Sequence, residues 1–136
     1  MIIMNNYWVV GAMWGGSEDV LSEFLKRGYW YCWDPKVASD STSDVGNSVK
    51  SQRERFLKIR ESDRIAVKKM LGQGTTEIEI RALGIVKAVD TKEWRVYVTW
   101  VTDEKFSRKV PIKGCTASIH GPFQNTDSWV REVFCI

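Results

Sequence analysis

The residues of this 136-residue chain that could do chemistry are rings and cations rather than nucleophiles. "GYWYCWDPKVASDS" sets Tyr29, Trp30, Tyr31, Cys32 and Trp33 in five consecutive positions before Asp34-Pro35 turns the chain polar. Such a run is either a core strand entering a surface loop or one wall of an aromatic pocket. The chain holds seven tryptophans, more than one small core needs. A pocket for a single nucleobase requires flat apolar walls, and a base stacked on an aromatic ring gains about 1–3 kcal/mol. It also requires amide or hydroxyl groups for the base edge and cations for phosphates. A base drawn from a duplex must further recover the cost of unstacking. Trp14, Trp30 and Trp33, with Asn47 and Ser48, supply the first two kinds of group, and Lys50, Arg53, Lys68 and Lys69 supply the third. Trp14 and Trp33 each end a predicted strand beside a loop. Trp100 is a further pocket candidate, with sheet packing as its alternative. Trp8, Trp94 and Trp129 read as core or sheet packing.

Charge distribution points the same way. The formal net charge is +3, yet residues 48–69 carry eight basic side chains against three acidic ones, so the remainder of the chain is net acidic. A local positive field beside an aromatic segment fits a polyanion, nucleic acid first. A solvated helix face is the alternative.

Catalytic constellations are missing from the sequence. His120 is the single histidine; before a Gly-Pro turn it reads as a structural or rim residue. No GxSxG, HExxH, GxxxxGK[ST] or GxGxxG occurs. Asp34, Asp40 and Asp44 share one polar loop and read as solvated. Cys32, Cys115 and Cys135 are scattered and odd in number, which argues against a disulfide framework or a zinc site. The expectation is a binding module with no catalytic residue, cofactor or metal. The N-terminal stretch has neither a positive leader nor an apolar run long enough for a membrane span, so a soluble, cytoplasmic protein with no membrane partner is expected.

The elements that must position these groups follow from periodicity. "NYWVVGAMW" is a first strand. Ser17 caps a helix over residues 18–27, whose stripe is Val20, Leu21, Phe24 and Leu25, and Gly28 ends it. "YWYCW" is a short strand with Tyr29, Tyr31 and Trp33 on one side and Trp30 and Cys32 on the other. A polar loop runs over residues 34–47, and Ser48 caps a basic second helix. Strands follow over residues 62–71, 76–90, 93–101 and 106–112, the last at an edge because of Pro111. Ile78 and Ile80 face inward, as do Val96, Val98 and Trp100. Gly84 marks a bulge or bend. "TDSWVREVFCI" is a closing helix with Asp127 near its start. One α+β domain over residues 1–136 is expected, built on a mixed, partly closed barrel of about five to six strands flanked by two to three helices.

The order of these features resembles the EVE domain of the PUA-like superfamily, to which the YTH readers and the N-terminal domains of some modified-cytosine restriction proteins are related. Tyr7-Trp8 stands at the start, Trp33 and Asn47 occupy the Trp and Asn places, and Ser62-Asp63 stands where Gly-Asp is usual before "RIAV". The likeness spans residues 6–100. It departs from the pattern at "GAMWGGSED" and in the longer loop after Trp33. The resemblance implies recognition of a modified base, such as a methylated one, flipped from DNA or present in RNA, in an aromatic pocket. It also implies service in a restriction or phage-defence system, with an effector protein chain as a partner. Two other classes remain open on the residues alone: a prophage-type inhibitor that uses an exposed aromatic patch against a protein, and a small hydrolase acting on nucleotides.

Overall fold

The structure is a computed structural model that describes residues 5–14, 18–32, 46–72, 74–115 and 118–135. Of residues 14, 18 and 46–49 it describes the backbone alone. The chain forms β1 (Tyr7–Gly11), β2 (Met13–Trp14), β3 (Glu18–Asp19), α1 (Leu21–Arg27), β4 (Tyr29–Trp30), α2 (Gly46–Phe56), β5 (Arg64–Met70), β6 (Glu77–Asp90), β7 (Arg95–Trp100), β8 (Arg108–Pro111), β9 (Ile119–Phe123) and α3 (Ser128–Phe134).

Seven of these strands make one mixed sheet in the order β4-β7-β6-β5-β1-β9, with β8 beside the first half of β6. β1 and β5 run parallel, and every other ladder in that sheet is antiparallel. The architecture is therefore α+β. Among the described residues β4 and β9 are opposite ends of the strand order, and no ladder joins them into a barrel.

Both faces of the centre of the sheet are covered, and the alternation in β1 and β5 shows how. Trp8, Val10, Ile65 and Val67 face a core shared with Leu21 and Phe24 of α1 and Phe56 of α2. Val9 and Ala66 face the opposite core, with Trp129, Val130 and Val133 of α3. A strand buried on both faces reads as an unbroken apolar run, as "WVV" and "IAV" do.

The expected inward positions hold: Ile78, Ile80, Val96 and Val98 are buried and Trp100 is half-buried. Three details differ. The first helix begins at Leu21 rather than residue 18, because Glu18 and Asp19 pair with Met13 and Trp14 as a small ladder. The helix entry is instead tied by Asp19, whose Oδ1 accepts the Leu21 amide at 3.1 Å. The expected cap, Ser17, lies outside the described residues.

Second, β9 was not expected at all. Its sequence, Ile119–Phe123, contains Gly121-Pro122. Proline in a strand is tolerated where no ladder donor is needed, and β9 is an edge strand.

Third, Gly84 is no bulge. It sits in regular register between Ile65 and Trp100, and the register shifts fall at Val67/Lys68 and Val86/Ala88. Gly84 serves close packing instead. A Cβ there would come within 2.3 Å of Val98 Cγ1 and 2.9 Å of Trp100 Cε3. Gly84→Ala is accordingly expected to cost about 2–3 kcal/mol through overpacking. Urea denaturation measures this, and a loss below about 1 kcal/mol would mean that Val98 and Trp100 move aside.

Candidate nucleic-acid interface

The groups singled out by type and charge divide among three places. The first is a basic corner built around Gly11, the last residue of β1. Its amide donates to the Ser118 carbonyl at 3.0 Å. Its carbonyl accepts Trp30 Nε1 at 2.8 Å. A Cβ added to Gly11 would stand 3.8 Å from Lys68 Nζ, so the Lys68 side chain reaches over the open face of the glycine.

Helix α2 is docked onto this corner by two polar side chains one turn apart. Gln52 Oε1 accepts the Ile119 amide at 2.7 Å, and Arg55 Nη1 donates to the Ile119 carbonyl at 2.6 Å. Together they satisfy outward-facing backbone groups of edge strand β9, as a further strand would. Neither Gln52 nor Arg55 stood out in the sequence, because the element that they recognise was hidden in a Gly-Pro stretch.

Lys68 is only 5% exposed. Burial pulls its ammonium below the usual lysine range. Cys115, 2% exposed, lies close enough to feel Lys68, Lys113 and Arg55 electrostatically. Burial nonetheless dominates and raises its thiol above the ordinary value. Burial also raises the Cys32 thiol well above its usual range. A buried thiol held protonated is a poor nucleophile.

The four predicted phosphate contacts do not form one cluster. Lys50 is exposed on α2, and Arg53 is half-buried one turn further along the same helix. Lys69 lies near enough to Asp19 to act on its carboxylate, as does Arg81, whose Nη1 meets Asp19 Oδ2 at 2.5 Å. Lys68 is buried beside Gly11 and Cys115. The two adjacent lysines therefore serve different surroundings.

The predicted aromatic cage is also divided. Trp30 is fully buried within the α1-side core. Its indole donor is used on Gly11, so it is a wall of the core rather than of an open pocket. Trp14 belongs to β2, and Asn47 and Ser48 lie in the first turn of α2; only their backbones are described. Ser48 sits inside the helix rather than capping it, since α2 starts at Gly46. Trp33, with Asp34, Asp40 and Asp44, lies outside the described residues.

Trp100 marks a second place. Its Nε1 donates to the Phe24 carbonyl at 2.9 Å. It lines a groove of about 620 Å³ with Ser22, Lys26 and the carboxylates of Glu23, Asp103 and Glu104. A phosphate is not welcome among three carboxylates and one lysine. Trp100 thus stands apart from the basic corner.

The third place is the outer face at the β4–β7 edge. The Arg95 guanidinium lies 3.6 Å from the Tyr31 ring centroid and 5.5 Å from that of Tyr29. Tyr29 is paired across the ladder with the exposed Tyr97.

Trp8, Trp94 and Trp129 are buried, as read from the sequence. Trp8 donates to Asp63, Trp129 donates to the Pro111 carbonyl, and Trp94 packs 4.6 Å from the Phe56 ring. His120 is a half-buried residue of β9. Among the described residues no group of three or more His, Cys, Asp or Glu side chains is placed to hold a metal, and no helix is long and apolar enough to cross a membrane. Compared with known proteins, the chain matches no family model, no curated protein and no solved structure.

Proposed function

We propose that this protein is a non-catalytic nucleic-acid-binding module that reads a modified base beside the basic corner, in DNA or RNA, and that it serves a restriction or phage-defence system, with or without an effector chain. One observation supports this most. The hydrogen bond from Trp30 Nε1 to the Gly11 carbonyl ties the end of β4 to the end of β1. Gly11 and Trp30, which precede Trp14 and Trp33 in the chain, are thereby held together. Helix α2, docked on the same corner through Gln52 and Arg55, carries Lys50 and Arg53. A base reader requires walls, base-edge groups and cations together, and to Trp14 and Trp33 we assign the walls.

The same contact favours a PUA-like, partly closed barrel. β4 and β1 are four places apart in the strand order, yet a side chain of one reaches the backbone of the other. A flat sheet does not allow that; a strongly curled one does.

Trp33→Ala is expected to abolish discrimination between plain and modified oligonucleotides while leaving the fold intact. Lys50→Ala is expected to weaken both alike and to lower the salt dependence by about one counterion. Tryptophan fluorescence titrations with plain, 5-methylcytosine and N6-methyladenine oligonucleotides, single- and double-stranded at two salt concentrations, provide the readout. Unfolding of the Trp33 variant would make that residue core, and unchanged discrimination would remove it from the pocket.

The exposed Tyr97 beside Tyr29 and Arg95 favours a second reading, a protein-interaction surface of the inhibitor type. A stable protein partner lost on Tyr97→Ala, with no oligonucleotide affinity, would support that reading over the first.

A further inference from the structure

Lys68 is buried, and among the described residues it has no hydrogen-bond or ion-pair partner. An ammonium partly withdrawn from water without a counter-charge is unfavourably placed. The titratable group that acts on it electrostatically is the Cys115 thiol. Arg55 uses one of its donors on the Ile119 carbonyl. Ile119 faces Val10 across the β1–β9 ladder, next to the Gly11 over which Lys68 lies. Lys68 and Arg55 both act electrostatically on Cys115, so two cations are gathered near the end of β1. The third cation near Cys115, Lys113, is already held by Asp127 at 3.2 Å.

We propose that Lys68 and Arg55 hold the phosphate of a phosphomonoester, either a nucleoside monophosphate or the phosphorylated end of a strand, rather than an internal phosphodiester. The charge argues for a monoester. Near neutral pH it carries about −1.5 to −2, which matches two cations, whereas a diester carries a single charge. Access argues likewise. An internal phosphodiester is flanked by chain on both sides and cannot enter beside a lysine that is 5% exposed, while a terminal group enters end-on. Gly11 presents no side chain to the Lys68 ammonium, and the Cys115 thiol, kept protonated by burial, adds no negative charge to repel the ligand. The phosphate site stands on these residues alone. Only the nucleoside part rests on the base-reading proposal.

Calorimetric titrations at pH 7 and fixed salt test this with inorganic phosphate, a nucleoside monophosphate, and oligonucleotides that carry a hydroxyl or a phosphate at either end. The phosphorylated oligonucleotide is expected to bind the wild-type protein at least about tenfold more tightly than its hydroxyl counterpart, the value of a charge-assisted hydrogen bond. Lys68→Met and Lys68→Gln should each erase that difference. If inorganic phosphate binds and is lost in both variants while the nucleoside adds nothing, the phosphate site stands and the base-reading proposal fails. If oligonucleotides bind with base discrimination but regardless of a terminal phosphate, the phosphate site is overturned and the base-reading proposal stands. If the wild-type protein binds no phosphate-bearing probe, the phosphate site is overturned. Should both variants fail to fold, competition between inorganic phosphate and the phosphorylated oligonucleotide on the wild-type protein decides: displacement supports a shared site, and its absence overturns it.

Discussion

Asp63→Ala is expected to cost about 3–5 kcal/mol, since an unmet buried donor costs about 1–3 kcal/mol and this carboxylate serves three. Its Oδ1 accepts the Asn6 amide at 3.1 Å, and its Oδ2 accepts both Trp8 Nε1 and the Arg60 amide at 2.9 Å. It is 3% exposed, so water does not replace it. The three donors come from separate parts of the fold: the residue before β1, a tryptophan ring of the core, and the turn before β5. Backbone bonds continue the linkage, with the Arg64 amide on the Asn6 carbonyl and the Val86 amide on the Asp63 carbonyl. Removing the carboxylate therefore loosens the entry to both strands of the parallel pair at once. A domain of ordinary stability, about 5–15 kcal/mol, would lose a third or more of it. Asp63→Asn should lose less, about 2 kcal/mol, because one oxygen remains while the new amide faces a donor. Urea denaturation of both variants measures the difference. A loss below about 1 kcal/mol for Asp63→Ala would mean that the three donors find other partners.

Asp63 also illustrates what could be read in advance and what could not. The pair Ser62-Asp63 was read as the start of a strand, and its place before "RIAV" stood out only through the resemblance to the EVE pattern; the strand itself begins at Arg64. That the aspartate reaches back 55 positions to Trp8 was not visible. Local signals served well elsewhere. Gly28 ends α1 in the left-handed conformation. Asp127 caps α3 through the Trp129 and Val130 amides. Period-two alternation gave the inward faces of β6 and β7, since the alternate positions of each strand are half-buried or exposed.

Long-range pairing was illegible. The β1–β5 ladder joins residues more than fifty positions apart, and nothing local specifies a parallel partner. β9 escaped because glycine and proline signal a turn, and only its edge position makes them tolerable. The candidate site was divided by the same limits. Its cations were evident from composition, but only Arg55 of α2 and Lys68 of β5 gather near Cys115, while Lys50 stands exposed and Lys69 lies by Asp19. Trp30 and Lys68 read as ligand contacts by residue type, yet the burial of a side chain depends on neighbours that local pattern does not name. Arg55 and Gln52 became important only once β9 offered them an edge.

The second large effect concerns the residue that presses on Trp8 from β9. Gly121→Ala is expected to cost about 3–4 kcal/mol, combining overpacking of about 1–3 kcal/mol with about 1–2 kcal/mol for an L-residue in a conformation that favours glycine. Gly121 has φ +140°, and a Cβ there would come within 2.6 Å of Trp8 Cε3 and 2.9 Å of the Tyr7 carbonyl oxygen. The β1–β9 ladder shifts register between Tyr7 and Val9, so the backbone at Gly121 is laid against the Trp8 ring rather than beside it. The ring has nowhere to retreat. It is fully buried among Val10, Ile65, Ile119 and their neighbours, and its Nε1 is held by Asp63. Trp8→Phe removes the clashing carbon at its own cost of a hydrogen bond and some volume. If the ring contact is the cause, Gly121→Ala should be at least about 1 kcal/mol cheaper in the Trp8→Phe background, as coupled neighbours are. Strict additivity of the two losses would instead place the cost of Gly121→Ala in the backbone conformation and the Tyr7 carbonyl, and would free the tryptophan ring from any part in it.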